Sequence, residues 1–342
     1  PAIELGDKTM PGALVWEDDG EGTWYSDELS KFLRTNLQPL TKFRQFCDAK
    51  DAMDKGLHRG SLYHWNVYGD TASQGRELDE RTAIPETDIG IDQGQLTITE
   101  YGHSVPYTGK LEALARHDVE EIIKKALVND ARKAFDIADH AQFKLTKLRV
   151  APTSGTSTTA VTLTTNAATA TTNDVAMGAD HIKAIADLMQ ERNIPAYEGD
   201  DYACISHPTT WRPVKNDLES INQYTDAGIG RIFRGEVGRY EGFRFIEQNF
   251  IPKGGANDST TWDPYTKTAD AWNNAKSSWA FFFGADTVAE AIVVPEEIRS
   301  KLPGDYGRQK GIAWYGMTGF GLVHVDATNT DEARVLMWDS AA

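Results

Sequence analysis

Two stretches in the first third of the chain alternate between apolar and polar residues. The first is SLYHWNVYGD (Ser61–Asp70) and the second is QLTITEYGHSVPYT (Gln95–Thr108). A period of two, with many aromatic and β-branched residues, is typical of β-strands whose faces differ in burial. We therefore predict that both stretches form strands.

The segment between these strands is long and polar. It reads TASQGRELDERTAIPETDIGIDQG and shows no helical stripe, and it is much longer than a hairpin loop. It is either disordered or part of a two-stranded arm whose apolar face another molecule buries, because an isolated hairpin is only marginally stable in water. The flanking strands favour the arm, since their apolar residues are too many to leave in water. These residues are Tyr63, Trp65, Val67, Leu96 and Ile98.

The range Lys110–Arg149 contains no glycine or proline, and its apolar residues recur at helical spacing as far as Leu145 and Leu148. One helix over these roughly forty residues would be about 60 Å long. The average helix has only about 11 residues. The stripe is rich in alanine, and Phe135 and Phe143 lie on the opposite face. We therefore favour a spine packed against a sheet over a coiled coil.

The rest of the chain mixes strand and helix patterns. The first 55 or so residues are predicted to form an arm, and the Ser/Thr/Ala-rich region after Pro152 predicts short edge strands or a loosely held turn region. A helix is predicted over Asp180–Asn193, followed by the strand YACIS. The polar insert Lys253–Ser277 should be exposed, and the chain ends in the strand patterns KGIAWYGMTGFGLVHVD and ARVLMWDS.

The charge balance argues against a nucleic-acid-binding surface. The chain has 51 acidic and 35 basic residues and a formal net charge of -16, whereas phosphate binding requires lysines and arginines that displace counterions. Two cysteines far apart suit a reducing compartment, although one long-range disulfide stays open. The sequence shows no membrane span and no signal peptide at its start, so we expect a cytosolic protein without a membrane partner.

The stretch DYACISHPTTW resembles a nucleophile with its base. Cys204 lies three residues before His207, and Asp217 follows. Strand alternation would point Cys204 and His207 to opposite faces. A cysteine in mid-strand is usually a small buried hydrophobe, and a His-Pro pair at a strand end usually begins a turn. We therefore predict no catalytic residue here.

Other candidate sites are equally weak. The eight histidines form no HxxxH or HExxH pair, and we expect His117 and His140 on the solvated side of the long helix. The glycines of RGEVGRYEGFRF match no phosphate-binding loop and suit a tight hairpin. The acidic stretches WEDDGEG and DIGIDQG depart from the ligand spacing of an EF-hand. We expect no cofactor and no metal.

The order of these elements is similar to that of the major capsid proteins of tailed phages. Four stretches carry the likeness: PLTKFRQFCDAKDAM, LTITEYGHSVPYTGKLEALA, ISHPTTWRPVKND and IFRGEVGRYEGFRFIEQ. The chain resembles the family with the Hong Kong 97-like capsid fold, which is α+β, and within it the branch typified by the coat protein of the podophage called N-four. The resemblance implies an N-arm at 1–56, an extended two-stranded loop at 57–108, the spine helix of a peripheral domain at 109–150, an axial domain at 151–294 with an insert at 253–277, and returning strands of the peripheral domain at 295–342.

The resemblance implies a major capsid protein that self-assembles into hexamers and pentamers and forms an icosahedral head around double-stranded DNA, without sequence-specific DNA binding. A portal protein and a scaffolding protein are the implied partners, and a decoration or cement protein is a further candidate. The protein would be assembled in the bacterial cytoplasm and reside in the virion capsid. The alternative function is that of a tail tube, sheath or other structural protein of the virion. The third and less favoured function is that of an enzyme with an unrecognised site.

An arm and a loop that cannot bury themselves require contacts with neighbouring copies, and head-to-tail contacts between identical copies close into rings. The candidate inter-subunit contacts are Trp65 and Ile98, through apolar burial, and Arg76 and Arg81, through charge pairs. We expect the loop to pack poorly against its own subunit.

Some members of the family link their subunits covalently through a lysine on the extended loop. In this chain no lysine occurs between Lys55 and Lys110. Arginine stays protonated at neutral pH and is a poor nucleophile. We therefore predict a shell without covalent links between subunits.

Overall fold

The computed structural model of the chain describes residues 42–51, 60–69, 74–81, 83–168, 175–222, 239–249, 279–324 and 332–340. Most of the predicted N-terminal arm and the insert predicted at 253–277 lie outside these residues. The acidic stretch WEDDGEG also lies outside them.

Within the described residues the fold is α+β. The helices are α1 (Gly109–Leu114), α2 (Val119–Phe143), α3 (Ala179–Glu191) and α4 (Arg212–Asn222). The strands are β1 (Asp48–Asp51), β2 (Leu62–Tyr68), β3 (Ile91–Thr97), β4 (Thr99–Thr108), β5 (Leu148–Pro152), β6 (Val161–Thr164), β7 (Tyr202–Ser206), β8 (Arg239–Tyr240), β9 (Phe243–Glu247), β10 (Ala280–Phe283), β11 (Val288–Ser300), β12 (Gln309–Leu322) and β13 (Val335–Trp338).

These strands form three sheets. Seven strands form one sheet in the order β6-β5-β13-β10-β7-β9-β8, four form another in the order β1-β11-β12-β4, and β2 with β3 forms the third. The strands predicted in Ser61–Asp70 and Gln95–Thr108 are confirmed, because the first stretch contains β2 and the second contains the end of β3 and all of β4. The Ser/Thr/Ala-rich region does supply an edge strand, β6.

The chain divides into two compact units. The described residues of the first unit lie in Thr99–Phe135 and Ile292–Thr318. Those of the second unit lie in Pro39–Ile98, Asp136–Ala291 and Gly319–Ala342. The domain boundaries predicted at 108, 150 and 294 differ from these limits and stay predictions.

The first unit is built on the antiparallel pair β4 and β12, in which Thr99 to Thr108 face Thr318 to Gln309. The ring of Phe135, on α2, contacts Tyr101 and Trp314 with centroid distances of 5.5 Å each. Asp130 Oδ2 accepts a hydrogen bond of 3.0 Å from the Trp314 indole N–H. Burial of Phe135 and polar contacts of Asp130 and Glu120 therefore fasten the helix to the strands in this unit.

The second unit is built on the seven-stranded sheet. Helix α3 buries Ile182, Ile185 and Met189 in the core around this sheet, as the predicted helix over Asp180–Asn193 requires. Strand β7 lies between β10 and β9, so Cys204 is flanked by Phe282 and Phe245. The predicted hairpin of the RGEVGRYEGFRF stretch is confirmed in its described part, where β8 and β9 pair antiparallel.

The last strand belongs to this seven-stranded sheet. The sequence groups Val335–Trp338 with the returning strands of the peripheral domain. In the structure β13 pairs antiparallel with β10 and parallel with β5. The predicted boundary at 294 therefore separates β13 from β10, one of the strands with which it pairs. A pattern of apolar residues could not reveal this pairing because it carries no information about partners.

The single long helix predicted over Lys110–Arg149 is wrong. Helix α1 ends at Leu114, because Ala115 has an extended backbone with ψ 141°. Helix α2 has 25 residues and ends at Phe143, and Leu148 begins β5 instead of continuing the helical stripe. The break between α1 and α2 has a local cause. Asp118 Oδ1 accepts hydrogen bonds from the N–H groups of Glu120 at 2.9 Å and Glu121 at 3.3 Å, so this aspartate caps the start of α2.

The cap predicts the effect of replacing Asp118 by alanine. Loss of an N-cap carboxylate should lower the free energy of unfolding by about 1 kcal/mol. Denaturant unfolding of the purified subunit measures this loss, and Asp187→Ala on the exposed face of α3 is the matched control, with an expected change within about 0.5 kcal/mol. If the helix ran on through Asp118, alanine would instead be neutral or stabilising there, because it is the best helix former.

Candidate functional site

The most unusual surface is the two-stranded hairpin together with the segment that joins its strands. The pairing of β2 with β3 runs from Leu62 opposite Thr97 to Tyr68 opposite Ile91. One further backbone hydrogen bond, from Gly69 N–H to Gly90 O at 2.9 Å, follows the last pair. Beyond it, almost every residue of 74–81 and 83–90 is exposed. This part of the chain has no core of its own, as the sequence predicts.

Large apolar side chains on this hairpin and its connecting segment are left in solvent. Their exposed fractions lie between 51% and 69%. They are Leu62, Tyr68, Leu78, Ile84, Ile89 and Ile91. Large apolar side chains left in solvent along a hairpin and its connecting segment make this region the candidate interaction surface.

The base of the hairpin packs differently from the prediction. The indole N–H of Trp65 donates a hydrogen bond of 2.9 Å to the carbonyl oxygen of Val323, in the residue that follows β12. Leu96, on β3, is only 3% exposed. The expectation that another molecule must cover the apolar face of these strands is therefore wrong at the base, where the chain covers Trp65 and Leu96 itself.

Three glycines make room for this packing. A Cβ atom added at Gly94 would lie 2.3 Å from Trp65 Nε1, and one at Gly319 would lie 2.6 Å from Leu96 Cδ1. A Cβ atom at Gly321 would lie 2.7 Å from Leu96 Cβ. We call Gly94, Gly319 and Gly321 the glycine seat. Sequence reasoning missed it, although the spacing of two between Gly319 and Gly321 puts both on one face of a strand and was the available signal.

The four predicted contact residues fall into two groups. Trp65 and Ile98 are half-buried at the hairpin base, and the N–H of Ile98 donates to Ser61 O at 2.8 Å. Arg76 and Arg81 are exposed in the connecting segment, and within the described part of the chain neither guanidinium forms an ion pair. The structure therefore separates the apolar pair from the charged pair, and contact of all four with a neighbour stays a prediction.

The described part of the predicted arm is docked, not extended into solvent. Residues Phe43–Phe46 form a 3₁₀ helix, and the Phe43 side chain is fully buried. Its ring centroid lies 5.0 Å from His140, 5.4 Å from Phe143 and 5.7 Å from Phe281. This aromatic cluster anchors the end of the arm by burial of apolar area.

The position of His140 corrects another prediction. We expected it on the solvated side of the helix, but it is 5% exposed and its ring packs at right angles to Phe281. Burial lowers the pKa of His140 to about 3, with the Lys144 charge acting in the same direction. His140 is therefore a neutral core residue at physiological pH.

Buried carboxylates hold the backbone of the docked arm. The N–H of Phe43 donates to Asp136 Oδ1 at 2.7 Å, and the Arg44 guanidinium pairs with Glu290 at 2.8 Å. Glu290 is only 2% exposed. Burial raises the pKa of Asp136 to about 6 and that of Asp139 to about 8. The Phe43 N–H and the Arg44 guanidinium of the arm thus supply partners for Asp136 and Glu290, and these partners offset part of the cost of burying the two acidic groups.

The cysteine and histidine of the suspected catalytic stretch have separate structural settings. Cys204 is fully buried in the apolar core, and this burial raises the pKa of its thiol well above the usual range. His207 Nδ1 lies 3.1 Å from Thr209 Oγ1. Asp217 Oδ2 accepts from Ala179 N–H at 3.1 Å, at the start of α3. A buried, protonated thiol is a poor nucleophile, so this arrangement carries no acyl-transfer chemistry. Burial also raises the pKa of the other thiol, Cys47.

An open groove of ≈ 540 Å³ lies beside the hairpin base, lined in part by Trp65 and Arg192. Its charged side chains face one another: His324 Nε2 lies 3.5 Å from Asp286 Oδ2, and Arg334 Nη1 lies 3.6 Å from the same oxygen. Opposite charges on the groove walls compensate locally, so no charged ligand class is favoured. In the described residues, no group of His, Cys, Asp and Glu side chains is placed to hold a metal ion, and no helix is long and apolar enough to cross a membrane.

Comparisons with known proteins decide the family. A family model described as phage capsid protein matches residues 94–330, which is more than half of the chain. The chain belongs to this phage capsid family. No curated protein sequence matches it.

Solved phage capsids share the fold of this coat protein. The capsid of cyanophage P-SCSP1u aligns with a TM-score of 0.65 and 14% identity over 92% of both chains. The capsid of cyanophage Pam1 aligns with a TM-score of 0.63 and 12% identity over 95% of this chain and 100% of that one. The head of the Helicobacter pylori phage KHP40 gives a TM-score of 0.62 and 12% identity over 95% and 98%. The fold is therefore the Hong Kong 97-like capsid fold that the sequence predicts, and the N-four branch stays a prediction.

The buried carboxylates of the coat protein predict how its stability responds to pH. The pKa of Asp139 is about 8 in the folded chain and about 3.9 in an unfolded one. Stability from the protonated acid is therefore complete below about pH 4 and is lost as the pH rises towards 8. Because asparagine cannot ionise, Asp139→Asn should become more stable relative to the wild type across this window, by on the order of a few kcal/mol at pH 8.

Denaturant unfolding of the purified subunit at pH 5 and pH 8 measures this relative gain. The matched control is Asp187→Asn on the exposed face of α3, whose effect should be the same at both pH values. An Asp139→Asn effect that did not grow between pH 5 and pH 8 would contradict the raised pKa.

Proposed function

We propose that the chain is the major capsid protein of a tailed phage, which self-assembles into hexamers and pentamers and forms the icosahedral head around double-stranded DNA. The observation that carries the proposal is the long hairpin with six large apolar side chains in solvent. Its attachment to a capsid fold supports an assembly role, because an isolated hairpin gains its stability from what it contacts.

The contact that we propose joins the hairpin of one subunit to the neighbouring subunit in the same ring. A head-to-tail contact of this kind uses two different surfaces of each copy. It forms a closed ring when the rotations between successive copies add up to a full turn. The apolar side chains of residues 62–91 would be buried in this contact, with Trp65 and Ile98 at its edge. Arg76 and Arg81 would pair with carboxylates of the neighbour, since the chain has an excess of acidic residues.

The acidic balance suits a container for DNA. A net charge of -16 on each copy repels a polyanion, so packaged DNA would move along the inner wall without adhering. We propose a portal protein and a scaffolding protein as partners, and a decoration or cement protein as a further one. Assembly would occur in the cytoplasm of the host bacterium, and the finished protein would reside in the virion capsid.

Shortening the loop tests the proposal. Replacing residues 70–89 by a short Gly-Ser turn keeps Gly69 and Gly90, whose backbone bond would then close a tight hairpin. The variant should remain folded, because the connecting segment contributes nothing to the described core, and it should form no shells in electron micrographs. Closed shells of normal size from this variant would contradict the proposal, as would tubes formed by the wild-type protein.

A pair of side-chain variants separates apolar burial from loop length. Each buried isoleucine contributes about 1.5–3 kcal/mol, so Ile84→Ser with Ile89→Ser should raise the protein concentration needed for assembly by at least about tenfold. Glu86→Gln with Asp88→Asn changes the same exposed stretch without removing apolar area and is the matched control. If both pairs shifted the threshold equally, charge and not apolar burial would dominate the contact.

The absence of lysine from the loop predicts shells held without covalent bonds. No lysine occurs between Lys55 and Lys110, and both cysteine thiols have raised pKa values that make them poor nucleophiles. Mature particles boiled in detergent without reductant should therefore give a single band near 37.8 kDa on a gel. A ladder of multimers that survives added reductant would contradict this prediction.

A further inference from the structure

We propose that the glycine seat sets the direction in which the hairpin leaves the subunit, and that Gly94, Gly319 and Gly321 act as positioning residues for assembly. This inference rests on the proposed function, because it concerns how the hairpin reaches the neighbouring copy. The seat, the hairpin and Val323 all belong to the second compact unit.

Space, not backbone conformation, explains these three glycines. None of them has a positive φ, so alanine could adopt the same backbone at each position. The obstacle is the neighbouring side chain or carbonyl. At Gly319 an added Cβ would meet both Leu96 Cδ1 and Thr97 O at 2.6 Å. Real Cβ atoms do not approach other heavy atoms this closely, so a methyl group here must move the hairpin.

The seat holds Trp65 in one orientation. Gly94 lies directly opposite Trp65 in the β2–β3 register, and the indole occupies the space that a Cβ at position 94 would need, with Nε1, Cε2 and Cζ2 within 2.3–2.7 Å. From this position the indole reaches Val323 O at 2.9 Å. Its outer edge also lies over Gly321, where Trp65 Cη2 would be 3.2 Å from an added Cβ. The Trp65 side chain therefore connects the hairpin to the residues at Gly321 and Val323 against which the hairpin packs.

A small change at the seat is amplified along the hairpin. From Trp65, which faces Gly94, β2 runs three residues further to Tyr68 and rises about 10 Å at about 3.3 Å per residue. A tilt of about 20° at the seat would therefore move the end of β2 by about 3.5 Å, on the same rise per residue. Side chains in contact lie within about 4 Å of each other, so a displacement of this size removes a contact.

The same loop offers control positions. Gly75 and Gly90 have no heavy atom within 4 Å of an added Cβ, and neither has a positive φ. Alanine at either position changes the chain by one methyl group and touches nothing. Gly94→Ala and Gly90→Ala are thus the same substitution four residues apart, one inside the seat and one outside it.

The test compares the assembly of these variants and includes a rescue. Gly94→Ala should lower the yield of closed shells at least tenfold, whereas Gly304→Ala, which lies outside the hairpin and whose added Cβ would meet only Gln309 at 3.4 Å or more, should match the wild type. In the free subunit, Gly90→Ala and Gly75→Ala should leave the hairpin as resistant to proteolysis as in the wild type. Trp65→Leu removes the indole atoms that the new methyl group would meet. The double variant Gly94→Ala/Trp65→Leu should therefore assemble as well as Trp65→Leu alone. Losses that multiply in the double variant, or normal shells from Gly94→Ala, would overturn the inference.

One further measurement and one replacement variant keep the outcome decisive. Limited proteolysis of unassembled Gly94→Ala should cut within residues 62–97 faster than in the wild type, while the rest of the subunit resists cleavage. If Gly94→Ala does not fold, Gly321→Ala takes its place and should give the same loss of shells, because its methyl group meets Leu96; normal shells would overturn the inference.

The shortened-loop variant separates this inference from the proposed function. If shortening the loop leaves assembly intact, the proposed hairpin contact is wrong whatever the seat does. If shortening abolishes shells and Gly94→Ala assembles normally, the contact stands and the positioning role of the seat falls.

Discussion

The structure depends on a hairpin that is anchored at one end and uncovered at the other. Its base can pack closely because three glycines leave space for Trp65 and Leu96. Its connecting segment keeps Ile84 and Ile89 in solvent. Apolar area left in water is unfavourable by about 25 cal/mol per Å². An element built in this way lowers its free energy most by contact with another molecule, and the capsid fold supplies identical copies.

The rest of the second unit supplies a rigid support. The seven-stranded sheet and the buried face of α3 share one core, and the end of the arm is fixed to it by the Phe43 cluster and the Arg44–Glu290 pair. Close-packed protein interiors do not deform gradually. A subunit that must repeat many times in a shell benefits from such a core, because the geometry of each contact is then set by the fold.

The sequence predicted the elements better than their limits or partners. Period-two patterns identified β2, β4 and the end of β3, and the order of elements identified the capsid fold. The helix was predicted too long because no glycine or proline interrupts it, while the true signal was the capping carboxylate of Asp118. The place of β13, the burial of His140 and the glycine seat depend on residues far apart in sequence, which a single chain without its contacts cannot reveal. The four predicted contact residues do not lie on one surface, because Trp65 and Ile98 are at the hairpin base and Arg76 and Arg81 are in the connecting segment.

The central claim is that almost all of residues 74–81 and 83–91 are exposed in the free subunit and become buried in the shell. Hydrogen–deuterium exchange of the free subunit and of assembled shells, followed on peptides from this range, tests it most directly. Exchange in these peptides should slow at least tenfold on assembly, while peptides from the core of the seven-stranded sheet should change little. Equal exchange of residues 74–91 in both states, with new protection elsewhere, would contradict the account.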